Sequence, residues 1–378
     1  MYKFDNCKRN ILYIMGIDWD WIYQRPQIIE QNLEKSYNVT VIFPRSILKA
    51  KNKLNKNLPK LYKILWTIPF QEKYRMIGWI ASLLQRNIFK NINQYDAIFI
   101  GYPLYYRYIS KKYGGKIIYD CMDNHEALYP DAKSVKKMII QEKLLVKDCD
   151  CIIVTSKKLK SKIDNMKYPD KTILVRNGFD FNSLLDLKKA DKKNKYLVGY
   201  FGTLADWFDY DLLFNCLDKF TNIEYHLVGP LLKEYKNSHK RIIYEGIIPH
   251  NNLVDFFRDF DCLIMPFIIN DVVEWVDPVK LYEYVAMGKC IVSVYYQEIS
   301  LFGDFVYFYN DSKEFDSIMK DLIKRGFPPK YTRERQIGFL RENSWSVRLQ
   351  KIDGILNSLL NEKEVNNNGN QGDECIWN

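Results

Sequence analysis

The sequence predicts an α/β protein built as two doubly wound parallel sheets, each in its own domain. Three observations carry this. Apolar runs of five to seven residues alternate with stretches of helical length along most of the chain. The alternation stops at a charged segment, LDLKKADKKNK (185–195), and then starts again. The length, 378 residues, suits two domains, and 47% hydrophobic against 27% charged residues gives each domain a core to bury. Alternation on this scale is the pattern of parallel strands covered by helices on both faces.

In the first domain the expected strands are ILYIMG (11–16), VTVIF (39–43), AIFIG (97–101), KIIYD (116–120) and CIIVTS (151–156). Gly16 closes the first strand. A loop bearing Trp19, Asp20 and Trp21 then leads to a helix starting near Arg25-Pro26-Gln27, where proline suits the first turn. That helix start, with Arg25 beside it, would hold an anion; the plainer alternative is a capped helix under packed tryptophans. The segment IIYDCMDNHEALYPD brings Asp120, Asp123, His125 and Glu126 to the carboxyl end of a strand. Open α/β sheets display functional groups there, and a carboxylate such as Asp123 or Asp120 would accept a proton from a hydroxyl. Otherwise the two aspartates cap the turn.

The second domain is expected to contain YLVGYFG (196–202), IEYHLVG (223–229), RIIYEG (241–246), DCLIMPF (261–267), KCIVSV (289–294) and DFVYFY (304–309). Gly202 ends its first strand, which lets a ligand approach the backbone; Thr203 follows, and Asp209 would cap the next helix. EWVDPVKLYEYVAMGKCIV reads as a helix with Asp277 at the N-cap, Pro278 at the first position, and Gly288 just past its end. Lys280 and Glu283 share a face near its start. Together they offer free N–H groups, a cation for a diphosphate and a carboxylate for a sugar diol, or else a surface pair on a crossover helix. ENSWSVRLQKIDGILNSLL (342–360) opens on Asn343-Ser344 and has helical spacing. The domains expected are therefore 1–187 and 188–342, with helix 343–360 and a disordered tail at 361–378.

The net charge of +10 is concentrated. Residues 45–90 hold eleven Lys or Arg and one acid, Glu72, running from LKAKNKLNKNLPKLYK into an apolar, Trp-containing stretch. This suits an anionic membrane surface, or else a solvated loop before a core helix. No groove-reading or stacking motif accompanies it, so nucleic acid is not expected as a partner. No apolar run reaches the span of a membrane, and the eight cysteines are scattered, most of them in apolar runs, as in a reducing cytoplasm. Cys149 and Cys151 lack two further zinc ligands nearby. No G-x-G-x-x-G follows an expected strand, which argues against a redox dinucleotide enzyme.

The segments W-x-x-x-R-P-Q (Trp21 to Gln27), YDCMD (119–123), GYFGTLADWFDYDLL (199–213) and DPVKLYEYVAMGK (277–289), in that order, resemble the GT-B glycosyltransferases. The likeness is to the family-4 and family-1 types of bacterial surface polysaccharide assembly, including those of teichuronic acid synthesis. The resemblance implies two Rossmann-like domains with an inter-domain cleft. It also implies transfer of a sugar from a nucleotide-diphosphate sugar to a hydroxyl acceptor. N–H dipoles and Lys280 would meet the leaving phosphate, so no catalytic metal is expected. The basic 45–90 segment would set a lipid-linked saccharide acceptor beside the first domain, in the cytoplasm or at the membrane's cytoplasmic face. Glu283 matches the glutamate that bonds the donor ribose, and the backbone at Val279, Lys280 and Leu281 would meet the diphosphate. Gly246 to Asn251, including Pro249, would lie against the base. Gly202, Thr203 and Asp277 complete the donor side. Asp123 and Asp120 would meet the donor sugar and acceptor hydroxyl, with Gly16, Trp19, Asp20, Arg25 and His125 on the acceptor or phosphate side. Two positions depart from the family pattern. Glu274 and Glu283 enclose eight residues where the usual pair encloses seven, and Thr203 and Asp206 stand where many relatives carry cations. Phosphate neutralisation would then lean on Lys280, helix N–H groups and Arg25. A degenerate, nucleotide-binding scaffold protein and a nucleotide-sugar epimerase or polyol-phosphate transferase are the alternatives.

Overall fold

The computed structural model describes residues 7–54, 57–109, 111–129, 131–180, 184–232 and 239–369, with side chains as far as 361. The chain divides into two compact units, Met1–Arg176 with Leu349–Asn378, and Asn177–Arg348.

The first unit is built on a sheet of seven strands: β1 (Asn10–Ile14), β2 (Asn38–Ser46), β3 (Leu61–Thr67), β4 (Ala97–Ile100), β5 (Lys116–Cys121), β6 (Cys151–Val154) and β7 (Thr172–Leu174). Their order is β3-β2-β1-β4-β5-β6-β7 and every pairing is parallel. Helices α1 (Arg25–Ser36), α2 (Arg75–Arg86), α3 (Ala132–Asp148) and α4 (Lys157–Asp164) belong to this unit. β4 and β6 are buried at every residue, which is why they read as unbroken apolar runs. The strand order reverses between β1 and β4. That is where an open parallel sheet leaves a crevice at its carboxyl edge.

The second unit has six strands, again all parallel: β8 (Tyr196–Phe201), β9 (Ile223–Val228), β10 (Ile242–Gly246), β11 (Cys262–Met265), β12 (Cys290–Val294) and β13 (Tyr307–Tyr309). Their order, β10-β9-β8-β11-β12-β13, places its reversal between β8 and β11. Helices α5 (Tyr210–Lys219), α6 (His250–Phe256), α7 (Val279–Ala286), α8 (Ser312–Arg325) and α9 (Arg333–Glu342) surround the sheet. The expectation of two doubly wound parallel sheets is met.

Helix α10 (Trp345–Gly369) starts in the second unit and continues in the first. Within the first unit Ile352, Leu356 and Leu360 are buried among the residues of β1, β2 and α1. Tyr37 donates to Asn357 Oδ1 at 2.6 Å, and Asn32 to Asp353 Oδ2 at 2.9 Å. Ser344 Oγ accepts from the Val347 amide at 3.4 Å, close to the cap expected.

Three expectations need correction. The segment 185–195 is not a free linker between domains: the amides of Leu185 and Lys188 donate to Ala286 and Gly288, and that of Asp191 to Gly326. These carbonyls end α7 and α8 and need donors, so the segment lies on the second unit and the division falls at Arg176/Asn177. Gly288 is required there, at φ +66°, because a Cβ would stand 2.4 Å from Asp186 O. The tail expected to be disordered from 361 is helical to Gly369; 370–378 lie outside the described residues. β3 and β7, absent from the expected strands, complete the first sheet at its two edges. Among the described residues no helix is long and apolar enough to cross a membrane.

Candidate functional site

In the second unit the candidate residues gather at the carboxyl edge of β8, beside the strand-order reversal. Gly202 follows β8 with φ +136°, and a Cβ there would come within 2.2 Å of Lys280 Cε. Only a glycine lets the lysine lie across the strand end. Lys280 is the second residue of α7, and its Nζ stands 5.9 Å from the Tyr200 ring centroid and 5.6 Å from that of Phe267. Among the described residues it has no hydrogen-bond or ion-pair partner. Burial lowers its pKa, and the charge of Glu283 opposes that shift. A desolvated ammonium with its donors unfilled is equipped to receive an anion. Thr203, half-buried beside it, is held by its carbonyl, which accepts from Tyr200 OH at 2.9 Å.

Glu283, one turn further along α7, accepts a bond from His250 Nε2 at 2.6 Å. His250 opens α6 directly after the exposed Pro249, and Gly246, at φ +76°, ends β10 just before. The hydrogen bond to Glu283 raises the His250 pKa; burial opposes, and the charges of Glu283 and Asp180 reinforce. This pair was not legible in the sequence: the residues are 33 positions apart and no motif joins them.

The start of α7 differs from its expected form. Pro278, not Asp277, is the N-cap residue. Asp277 is buried, its Oδ2 accepting from the Asn177 amide at 2.7 Å and its Oδ1 from Tyr282 OH at 3.1 Å. It therefore fixes the approach to the helix rather than facing a ligand. The Leu281 amide is also spoken for, bonded to Pro278 O at 3.2 Å, while its side chain is in the core. The half-buried Val279 and Lys280 keep the first-turn positions whose amides have no intrahelical carbonyl to reach.

In the first unit β5 leads into the turn that carries Asp123 and His125. Asp123 is half-buried, with no partner for its carboxylate among the described residues. Burial raises its pKa, His125 opposes and Asp120 adds to the rise. His125 is buried, and among the described residues neither ring nitrogen has a hydrogen-bond partner. Its ring meets Tyr102 edge-on at 5.4 Å, and burial lowers its pKa, which keeps the imidazole neutral near pH 7. A neutral imidazole with one donor and one acceptor unfilled suits a hydroxylated ligand. Lys162 ties this turn to α3, bonding Asn124 Oδ1 at 3.0 Å, Glu126 Oε1 at 3.2 Å and Glu142 Oε2 at 2.7 Å.

Three other candidates of this unit, Asp120, Arg25 and Trp19, are turned inward, against expectation, and the half-buried Asp20 is held in an ion pair. Asp120 is fully buried, bonded to Arg25 Nη2 at 2.9 Å and Nε at 3.0 Å, with Tyr13 OH donating to its other oxygen at 3.0 Å. Arg25 completes its set on Val175 O at 3.0 Å. A buried ion pair must be closed in this way, so neither member is left for substrate. Asp20 pairs with the buried Arg45 at 2.8 Å, and Trp19 is buried with its indole N–H on Asn57 O at 2.8 Å. Gly16 lets β1 end close against Tyr102, whose Cβ would be 3.2 Å from an added methyl group. Among the described residues no three His, Cys, Asp or Glu side chains gather as metal ligands would.

No protein-family model matches the chain, and no curated protein matches it in sequence. Solved structures do share its fold. Sucrose-phosphate synthase from Thermosynechococcus elongatus aligns over 94% of this chain and 100% of its own at TM-score 0.70 and 12% identity. The Anabaena HepE protein, in complex with UDP-glucose, aligns over 92% and 99% at TM-score 0.69 and 14% identity. The lipopolysaccharide outer core galactosyltransferase WaaB, in apo form, aligns over 92% and 99% at TM-score 0.64 and 14% identity.

Proposed function

We propose, from the GT-B fold that the chain shares with these structures and from its own two residue groups, that it is a glycosyltransferase using a nucleotide-diphosphate sugar. The observation that carries the reading is Lys280 lying across Gly202 with no hydrogen-bond or ion-pair partner among the described residues, and Glu283 on the same helix face. Breaking the bond between the sugar's anomeric carbon and the diphosphate leaves negative charge on the departing phosphate oxygen. Lys280 and the first-turn amides of α7 would stabilise that charge from fixed positions. Glu283, oriented by His250, would accept from the ribose diol, and the 246–251 loop would meet the base. In the first unit Asp123 would take the acceptor's hydroxyl proton as its oxygen bonds the anomeric carbon. His125 would hold a sugar hydroxyl.

The reading extends to the acceptor and the place of reaction. The acceptor is a lipid-linked saccharide, the class suggested by WaaB, and the reaction occurs at a membrane's cytoplasmic face during assembly of a cell-surface polysaccharide. The test is to incubate the chain with UDP-, GDP- and dTDP-sugars and a lipid-linked saccharide, and to analyse the products. A new glycoside with release of nucleotide diphosphate, lost in Glu283→Ala, supports the reading. An epimerised nucleotide sugar without a glycoside assigns an epimerase instead, and nucleotide binding without any turnover assigns a scaffold.

A further inference from the structure

The strongest unassigned feature lies in the first unit, at α2. Its apolar residues Met76, Trp79, Ile80, Leu83 and Leu84 follow helical spacing, yet they face outward, with Met76 73% and Trp79 63% exposed. The residues the helix buries are Ala81 and Gln85, the latter donating to Trp66 O at 2.9 Å. An apolar face of this size turned to water marks a contact surface. Beside it is an open groove of about 620 Å³, and Trp79 and Leu83 belong to both the groove and the apolar face. Arg75, Arg86, Arg107, Lys133 and Lys137 line the groove, against one acid, Glu72. Arg107 and Lys137 both pair with Glu72. Arg75, Arg86 and Lys133 have no partner among the described residues.

We propose that this groove receives the phosphate headgroup of an anionic bilayer lipid while the outer face of α2 lies in the acyl boundary. The proposal deepens the membrane part of the function given above. Charge decides the occupant. A second copy of the chain would bring the same five cations against this rim and be repelled, whereas an anionic bilayer supplies both phosphate and hydrocarbon. Tryptophan beside arginine at such a boundary fits the headgroup level, where an amphipathic ring has apolar and wet sides.

The experiment uses the full chain, without donor, and vesicles of phosphatidylcholine with or without phosphatidylglycerol. The wild type should pellet with the anionic vesicles and weakly with the neutral ones, and salt should release it. Arg75→Gln, Arg86→Gln and Lys133→Gln combined should weaken anionic-vesicle binding by about a hundredfold. Met76→Ser, Trp79→Ser and Leu83→Ser combined should lose binding to both vesicle types. Equal pelleting on both vesicles, or an unchanged charge variant, overturns the proposal. So does competition by millimolar inorganic phosphate, which would mark a free-anion site. A lipid-free dimer that the serine variant dissolves would assign the face to a second copy. Both variants should keep the wild-type midpoint shift on adding nucleotide sugar, which reads the second unit. Failure of vesicle binding alone therefore leaves the donor reading standing, and failure of that shift in the wild type leaves this site standing.

Discussion

Asp120 and Asp123 lie three positions apart, and the fold gives them opposite tasks. Asp120 is the buried counter-charge of Arg25. Asp120→Asn would leave that guanidinium buried without a neutralising partner, so denaturant unfolding should show a loss of about 3–5 kcal/mol. Asp123 carries the reverse signature. Its raised pKa means the folded chain holds a proton there that the unfolded chain has released. Its ionisation therefore lowers stability as pH climbs from the ordinary carboxylate value to the raised one. Asp123→Asn removes that penalty: at neutral pH the melting midpoint should hold or rise, while kcat falls about 10²–10⁴-fold if Asp123 takes the acceptor proton. A drop in midpoint with unchanged kcat would reverse the two assignments.

His250 gives a pH prediction of the opposite sign. Its pKa is raised above the ordinary 6.5 mainly by the bond to Glu283. The pair's contribution is complete below that ordinary value and fades as pH rises through the raised one. The imidazole titration followed by NMR should lie above 6.5 in the wild type and move down in Glu283→Gln. An unmoved titration would show that the pair does not form in solution.

At the scale of elements, the two sheets were legible because their central strands are buried on both faces and leave unbroken apolar runs. β3 was hidden for the same physical reason: it is an edge strand, only Leu65 in it is buried, and Lys63 interrupts its pattern by reaching Ile88 O. β7 is three residues long and offers no period to read. In α7 the helix and its following glycine were legible. The job of Asp277 was not, because its partner Asn177 is a hundred residues away. Arg25 and Asp120 carry the same lesson over 95 residues. The apolar, Trp-containing stretch that becomes α2 was legible in the sequence, but which of its faces turns inward was not. The buried Gln85 and exposed Trp79 supply that.

Across the whole molecule, the C-terminal helix finishes the first unit's core with residues from the far end of the chain. Leu356 is fully buried there. Leu356→Ala should cost about 2–5 kcal/mol by loss of burial and the cavity left behind. Chemical denaturation checks this, and a cost under about 1 kcal/mol would mean that the helix is not docked in solution. The second unit has its own core, so the donor should still bind to such a variant while it remains folded.

In the proposed function the second unit grips a nucleotide diphosphate through Lys280 and Glu283. The most direct measurement is the shift in thermal midpoint on adding UDP-, GDP- and dTDP-sugars to the wild type, Lys280→Ala and Glu283→Ala, since a ligand that binds only the folded chain stabilises it by mass action. The account predicts a rise with one nucleotide class in the wild type and its loss in both variants. A rise of equal size in all three proteins would contradict it.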